Sequence, residues 1–225
     1  VSTPVPPLWR RAAAEFVGTA ALVAVVIGSG IAAQQLSPND TGLQLLENTL
    51  ATVFGLAVLI AIFQTVSGAQ FNPVVTLADR VLGARRTLAE LGVFVVVQIA
   101  GAIGGAVVAN LMFEVPTTLS TKVRATPGHL LAEVVATAGL VLVIFALVRT
   151  NRSGWIPAAV GSYIGAAYWF TSSTSFANPA VTIGRMFSDT FAGIAPGSVL
   201  PFLGAQVVGA ALGVGLVVLF FPRRA

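Results

Sequence analysis

The chain has 225 residues, of which 56% are hydrophobic and only 9% charged, with a formal net charge of +4. A soluble domain carries about 25% charged residues, so this composition excludes a water-soluble fold and predicts an integral membrane protein. Cysteine is absent, which excludes a disulfide framework, thiol chemistry and a Cys-based metal site; the modest net charge does not point to nucleic acid.

In chain order, Val1 to Arg11 is Pro-rich and ends in Arg10-Arg11, a polar start with Trp9 as an interfacial anchor. Ala12 to Ala33 is apolar apart from Glu15 and reads as a first span and signal anchor. Gln34 to Gln44 reads as a polar loop, and the second span as Glu47 to Val66. A loop with Asn72-Pro73-Val74 follows, and its short helix should end near Arg80; Gly83, Arg85 and Arg86 mark a return to the starting side. Leu88 to Phe113 is the third span, and Glu114 to Gly128 the longest connector. Leu130 to Val148 and Trp155 to Thr171 are the fourth and fifth spans. A second loop with Asn178-Pro179-Ala180 leads to a short helix expected to end near Asp189. Pro196 and Pro201 are expected to bracket a turn into the last span, Val199 to Phe221.

Nine of the twelve basic residues (Arg10, Arg11, Arg80, Arg85, Arg86, Arg149, Arg152, Arg223, Arg224) fall in segments on one side. Lys122 and Arg124 fall on the other, and Arg185 lies in the second short helix. The positive-inside rule then predicts that both termini are cytoplasmic.

The two halves repeat. Ala14-Glu15-Phe16-Val17-Gly18-Thr19-Ala20 matches Ala132-Glu133-Val134-Val135-Ala136-Thr137-Ala138, and Gln98 with Gly101 and Gly105 matches Gln206 with Gly209 and Gly213. Three spans per half force the halves to be inverted, which places a pathway near the midplane. The glycine spacing of four, repeated at Gly161 and Gly165, is that of close helix packing.

Each Asn-Pro places a good N-cap before a residue preorganised for the first helical position. Each copy therefore reads as a loop that dives inward and becomes a half-helix too short to span a bilayer. With Asn72-Pro73-Val74 in one half and Asn178-Pro179-Ala180 in the other, the chain resembles the aquaporin, or major intrinsic protein, family over essentially its whole length. The resemblance implies an all-α membrane fold of six spans plus two re-entrant half-helices, one channel domain built from repeats of about 1–115 and 116–225. It also implies a homotetramer with one pore per subunit, in the cell membrane, with small neutral solutes and lipid as its partners. An inverted-repeat secondary transporter, a water-only pore and a closed-pore scaffold are the competing readings. No catalytic or cofactor-binding constellation is present.

If the half-helices meet at the centre, Asn72 and Asn178 present amide N–H groups to the lumen and two helix dipoles point their positive ends at one spot, which repels cations and protons. The resemblance makes Glu15 and Glu133 braces for the diving loops, while a transporter would use them as ion carriers. It also implies a filter built from the second span, the fifth span and the second diving loop, for which Phe54, Gly165 or Ala166, Ser175 (or Thr174, if Phe176-Ala177 contains an insertion) and Val181 are the expected residues. Val181 stands where family members usually carry Arg. Such a filter is wide and weakly polar, which resembles bacterial aquaglyceroporins associated with arsenite movement. Arg185, two helical turns beyond Asn178, is expected in the outer vestibule, where it would restore the charge. His129 reads as a helix-start or surface residue rather than a gate.

Overall fold

The computed structural model describes residues 5–84 and 86–223; Arg85 and Arg224 of the basic set lie outside the described residues. Among the described residues the chain forms α1 (Leu8–Leu36), α2 (Thr41–Phe63), α3 (Pro73–Val81), α4 (Leu88–Met112), α5 (Pro127–Arg149), α6 (Ile156–Phe170), α7 (Pro179–Arg185) and α8 (Pro196–Phe220). A 3-10 turn, Ser153–Trp155, leads into α6.

Five of these helices, α1, α2, α4, α5 and α8, are long and apolar enough to cross a membrane. With 15 residues, α6 is only about 22 Å long. It still joins the two faces of the bundle. At its start, Gln64 Nε2, just past α2, donates to the Ser153 carbonyl at 3.0 Å; past its end, Ser172 Oγ donates to the Gly128 carbonyl in the first turn of α5 at 3.2 Å. The architecture is therefore six crossings plus two half-helices, α3 and α7. The face that holds Leu8 and Arg223 is the terminal face, and the other the opposite face.

Several boundaries differ from the sequence expectation. The first polar loop shrinks to residues 37–40, because Gln34 and Gln44 stay helical and place their side chains on backbone partners: Gln44 Nε2 donates to the Ser37 carbonyl, and Gln34 Oε1 accepts from the Phe191 N–H. Asp40 caps α2 by accepting from the Leu43 N–H at 2.9 Å. Helix α7 stops at Arg185, well short of Asp189, whose carboxylate accepts from Ser120 and Thr121 in the long connector. Pro196 opens α8 at its first turn and Pro201 lies within the helix, so the two prolines do not bracket a turn.

The repeated glycines fix the packing. A Cβ on Gly101 or Gly105 would meet the carbonyl oxygens of Phe16 and Ala20 within 3.0 Å, and one on Gly209 or Gly213 would meet those of Val134 and Ala138 within the same distance. These contacts are the same contact made twice, α1 against α4 and α5 against α8. In lipid there is no hydrophobic drive between helices, so close backbone approach of this kind supplies the dispersion contacts that hold them. Between α6 and α2, a Cβ on Gly161 would meet the Val53 carbonyl oxygen and one on Gly165 the Val53 side chain.

Candidate functional site

The two diving loops are built alike. In each, three residues have positive φ: Gly68 (96°), Ala69 (48°) and Phe71 (50°) in the first, and Thr174 (62°), Ser175 (50°) and Ala177 (48°) in the second. For residues other than glycine such conformations cost roughly 1–3 kcal/mol each and persist only when their surroundings over-determine them.

Two buried carboxylates supply that determination. Glu15 accepts from Ser67 Oγ (2.6 Å), the Gln70 N–H (3.0 Å), the Phe71 N–H (2.6 Å) and Gln98 Nε2 (2.8 Å). Glu133 repeats the pattern with Ser173 Oγ (2.7 Å), the Phe176 N–H (2.8 Å), the Ala177 N–H (2.9 Å) and Gln206 Nε2 (2.7 Å). Both carboxylates are wholly buried. Gln98 and Gln206 continue the pattern by donating to Thr76 and Thr182 on the half-helices, at 3.0 and 2.9 Å. Every carboxylate oxygen is thus committed to holding a loop.

Pro73 and Pro179 open the half-helices, and Asn72 and Asn178 cap them. Asn72 Oδ1 accepts from the Val74 N–H; Asn178 Oδ1 accepts from the N–H groups of Ala180 and Val181. The loops are also tied crosswise. Asn72 Nδ2 donates to the Ala177 carbonyl and Asn178 Nδ2 to the Phe71 carbonyl, each at 2.8 Å. An amide NH2 has two protons, so each asparagine has one that this bond does not use.

Both asparagines line one cavity of about 320 Å³ that runs past the half-helix junction. Its walls are apolar stripes with a spacing of four: Thr52, Leu56 and Ile60 from α2, and Ile156, Val160, Ile164 and Tyr168 from α6. Val75 and Val181 take equivalent places on α3 and α7. At the terminal face the cavity reaches Asp79 and Arg86, which pair at 3.2 Å; at the opposite face it reaches Ser175, Phe176 and Arg185.

The expected filter residues divide. Ser175 and Val181 line the cavity. Phe54 does not: it is 66% exposed on the outer side of α2, and the face turned to the cavity carries Thr52 instead. Two residues along a helix is about 200° of rotation, so the shift reverses the direction of the side chain. Gly165 packs against Val53, and Ala166 is exposed; α6 turns Ile164 and Tyr168 inward. The residues missed from sequence are Thr52 and Tyr168, whose hydroxyls lie 3.3 Å apart. The signal was in the sequence: Gln44, Asn48 and Thr52 recur at a spacing of four and run on into Leu56 and Ile60, and this is the face that α2 buries, while Leu46, Leu50, Phe54 and Val58 are exposed.

Arg185 is only 2% exposed and borders the cavity. Its Nε donates to the Ala192 carbonyl and its guanidinium lies 3.4 Å over the Phe176 ring. The connector 114–126 covers this end: the Ser120 N–H donates to the Met186 carbonyl, and Arg124 donates to the carbonyls of Gly193 and Phe191. There the backbone N–H of Thr121 is the main cause holding the Asp189 carboxyl below the usual range, and burial lowers Arg124. His129 Nδ1 lies 2.7 Å from the Arg124 carbonyl in the first turn of α5, away from the cavity lining.

Comparison with known proteins places these features in context. Residues 3–175 match the family described as major intrinsic protein, a match that ends just before the second Asn-Pro. The chain is 48% identical to aquaglyceroporin AqpS of Rhizobium meliloti (strain 1021), over 93% of this chain and 89% of that protein. It is 32% identical to a probable aquaporin TIP-type of Medicago truncatula, over 80% and 75%. Among solved structures, the aquaglyceroporin from Plasmodium falciparum superposes with a TM-score of 0.69 at 22% identity, covering 94% of this chain and 96% of that one, a likeness of fold.

Proposed function

Since the chain belongs to the major intrinsic protein family, we propose that its cavity conducts water, glycerol-like polyols and arsenous acid, and excludes cations and protons where the half-helices meet. Members of this family are channels, and the chain is a multi-pass membrane channel rather than an enzyme. The carrying observation is the reciprocal bond between Asn72 and Asn178 and the opposite loops, which fixes two positive helix ends and two free amide protons in the middle of one cavity. A neutral solute oxygen can accept those protons in passing, while a cation must shed water beside positive dipoles.

The filter in this reading is Thr52, Tyr168, Ser175 and Val181. It offers hydroxyls on one side and an isopropyl group on the other, which suits a bulky neutral trihydroxide as well as water. Arg185 supplies the charge that Val181 lacks, from the vestibule. Glu15 and Glu133 act as braces and carry no ions, because all four of their oxygens are already bonded to the loops. We read the chain as one channel domain of two repeats that assembles as a homotetramer, with the Arg-rich terminal face in the cytoplasm.

Stopped-flow measurements on one batch of proteoliposomes test this directly. Water, glycerol and arsenous acid should each enter linearly with gradient and with low activation energy. Saturation or proton coupling would indicate a transporter, and glycerol flux equal to that of protein-free vesicles would refute the wide filter.

A further inference from the structure

We propose that the mouth of the cavity at the opposite face is a binding site for a small planar monovalent oxyanion, of the nitrate or carboxylate class, held by Arg185 and Ser175, and that its occupancy slows neutral-solute flux. The proposal rests on the channel reading above and adds a ligand of a different charge class to it.

Arg185 is the first observation. A buried cation is costly unless paired and hydrogen-bonded. Yet among the described residues Arg185 has no carboxylate within ion-pair distance, and its only side-chain hydrogen bond is from Nε. Its Nη1 and Nη2 groups have no acceptor there, while the side chain borders the cavity. Stacking on Phe176 offsets part of the cost through the ring face and leaves the donor edge free. A planar guanidinium edge matches a planar oxyanion with two parallel N–H···O bonds.

Ser175 is the second observation. It is 3% exposed, borders the same cavity, and its Oγ has no hydrogen-bond partner. It is held at φ 50° in the loop that Glu133 braces, and its neighbour Phe176 carries the Arg185 guanidinium. Two unpartnered donors therefore border the same cavity, one stacked on the Phe176 ring and the other on the residue before it in the chain.

The surroundings favour negative charge. Arg124 lies 5.3 Å from the same Phe176 ring and spends its donors on the carbonyls of Gly193 and Phe191 rather than on an acid. Lys122 donates to the Phe191 carbonyl, and is held below the ordinary lysine range by burial first and by the charges of Arg124 and Arg185 next. The nearby acids are committed, Glu133 to its loop and Asp189 to Ser120 and Thr121. One factor opposes binding: α7 turns its negative C-terminal end toward this mouth, which makes the site reversible rather than tight.

The test measures glycerol flux in proteoliposomes while nitrate replaces gluconate at constant ionic strength, with formate as a second planar anion. Flux should fall saturably with nitrate. Arg185→Gln should abolish the nitrate dependence, and Ser175→Ala should weaken it about tenfold, the effect of one charge-assisted hydrogen bond. Lys122→Gln should weaken it less, and less still in added salt. These two variants keep the test alive if Arg185→Gln fails to fold. In parallel, nitrate should raise the thermal stability of the detergent-solubilised protein, because a ligand that binds only the folded state stabilises it. Nitrate-independent glycerol flux in the unmodified protein, or a nitrate effect that survives in Arg185→Gln, overturns the proposal. Thermal stabilisation without glycerol flux would support the site while overturning the wide-filter reading.

Discussion

Asp79 and Arg185 stand at the same step of the two half-helices, seven residues beyond Asn72 and Asn178, and both border the one cavity. Asp79 is answered by Arg86 at 3.2 Å and by Gln70 Nε2 at 2.8 Å. Arg185 has no acidic partner among the described residues. The inverted repeat thus carries a built-in polarity, a neutralised mouth at the terminal face and a positive one at the opposite face.

That asymmetry predicts a second barrier to cations at the opposite mouth, in addition to the half-helix junction. A unit charge about 7 Å from a permeating cation is worth roughly 2.4 kcal/mol at an effective dielectric constant of about 20. Arg185→Gln should therefore raise cation leak by up to about fiftyfold. Asp79→Asn should change it far less, because Arg86 already cancels that charge. Dye-based sodium and proton influx assays on the two variants, side by side, check both halves of the statement.

The filter assignment makes opposed predictions for neighbouring positions on α2. Phe54→Ala faces outward and should leave the water-to-glycerol ratio within about twofold, as expected of a surface substitution worth under about 0.5 kcal/mol. Thr52→Phe should cut glycerol flux at least tenfold more than water flux, since glycerol is the wider solute and about 1.4 kcal/mol of extra barrier suffices. Val181→Arg should act in the same direction. An unchanged solute profile in both Thr52→Phe and Val181→Arg would remove these residues from the constriction.

The braces should fail alike. Glu15→Gln and Glu133→Gln each replace an acceptor oxygen by an NH2 group facing donors in the loop. Each should cost about 2–4 kcal/mol, the loss of charge-assisted bonds plus a buried unsatisfied group. Because the two sites have the same four kinds of donor, their costs should agree within about 1 kcal/mol. Thermal unfolding in detergent is the measurement, and a wide difference would mean that the loops are not equivalently strained.

Two glycines on α8 separate packing from flexibility. Gly213→Ala drives a Cβ to 2.7 Å from the Ala138 carbonyl oxygen and should destabilise by about 1–3 kcal/mol. Gly215→Ala meets nothing within 4 Å and should be neutral or stabilising by up to about 1 kcal/mol, through helix propensity. The same detergent unfolding assay reads both.

The cover over the opposite mouth should depend on pH through Asp189. Its carboxyl is lowered from 3.8, chiefly by the Thr121 N–H, so its contribution to holding the connector is present above that value and lost as pH falls through the lower folded-state value. Proteolysis of the connector 114–126 should be slow and constant from pH 7 to about pH 5 and rise only in stronger acid. Asp189→Asn should cleave faster from pH 7 to about pH 5 and lose that difference in stronger acid.

Sequence alone determined the frame. So few charges left no choice but lipid, and six apolar runs with arginines sorted to one side set the crossings. Two Asn-Pro pairs set the helix starts at Pro73 and Pro179, because capping and the fixed φ of proline are local effects. The pairing of Glu15 with Glu133, and of Gly101 and Gly105 with Gly209 and Gly213, was legible as a repeat. Tertiary structure decided which side chains face the pathway. On α6, apolar on nearly every face, Tyr168 could not be told from Ala166 until the helix had neighbours; on α2 the polar stripe Gln44, Asn48 and Thr52 marked the buried face, but only packing decided that Asn48 turns to α1 and Thr52 to the cavity. It also decided how the half-helices are joined: each asparagine donates to a carbonyl in the other half of the chain. Such a bond has no local sequence signature, because its two partners meet only when the inverted repeats close on one another.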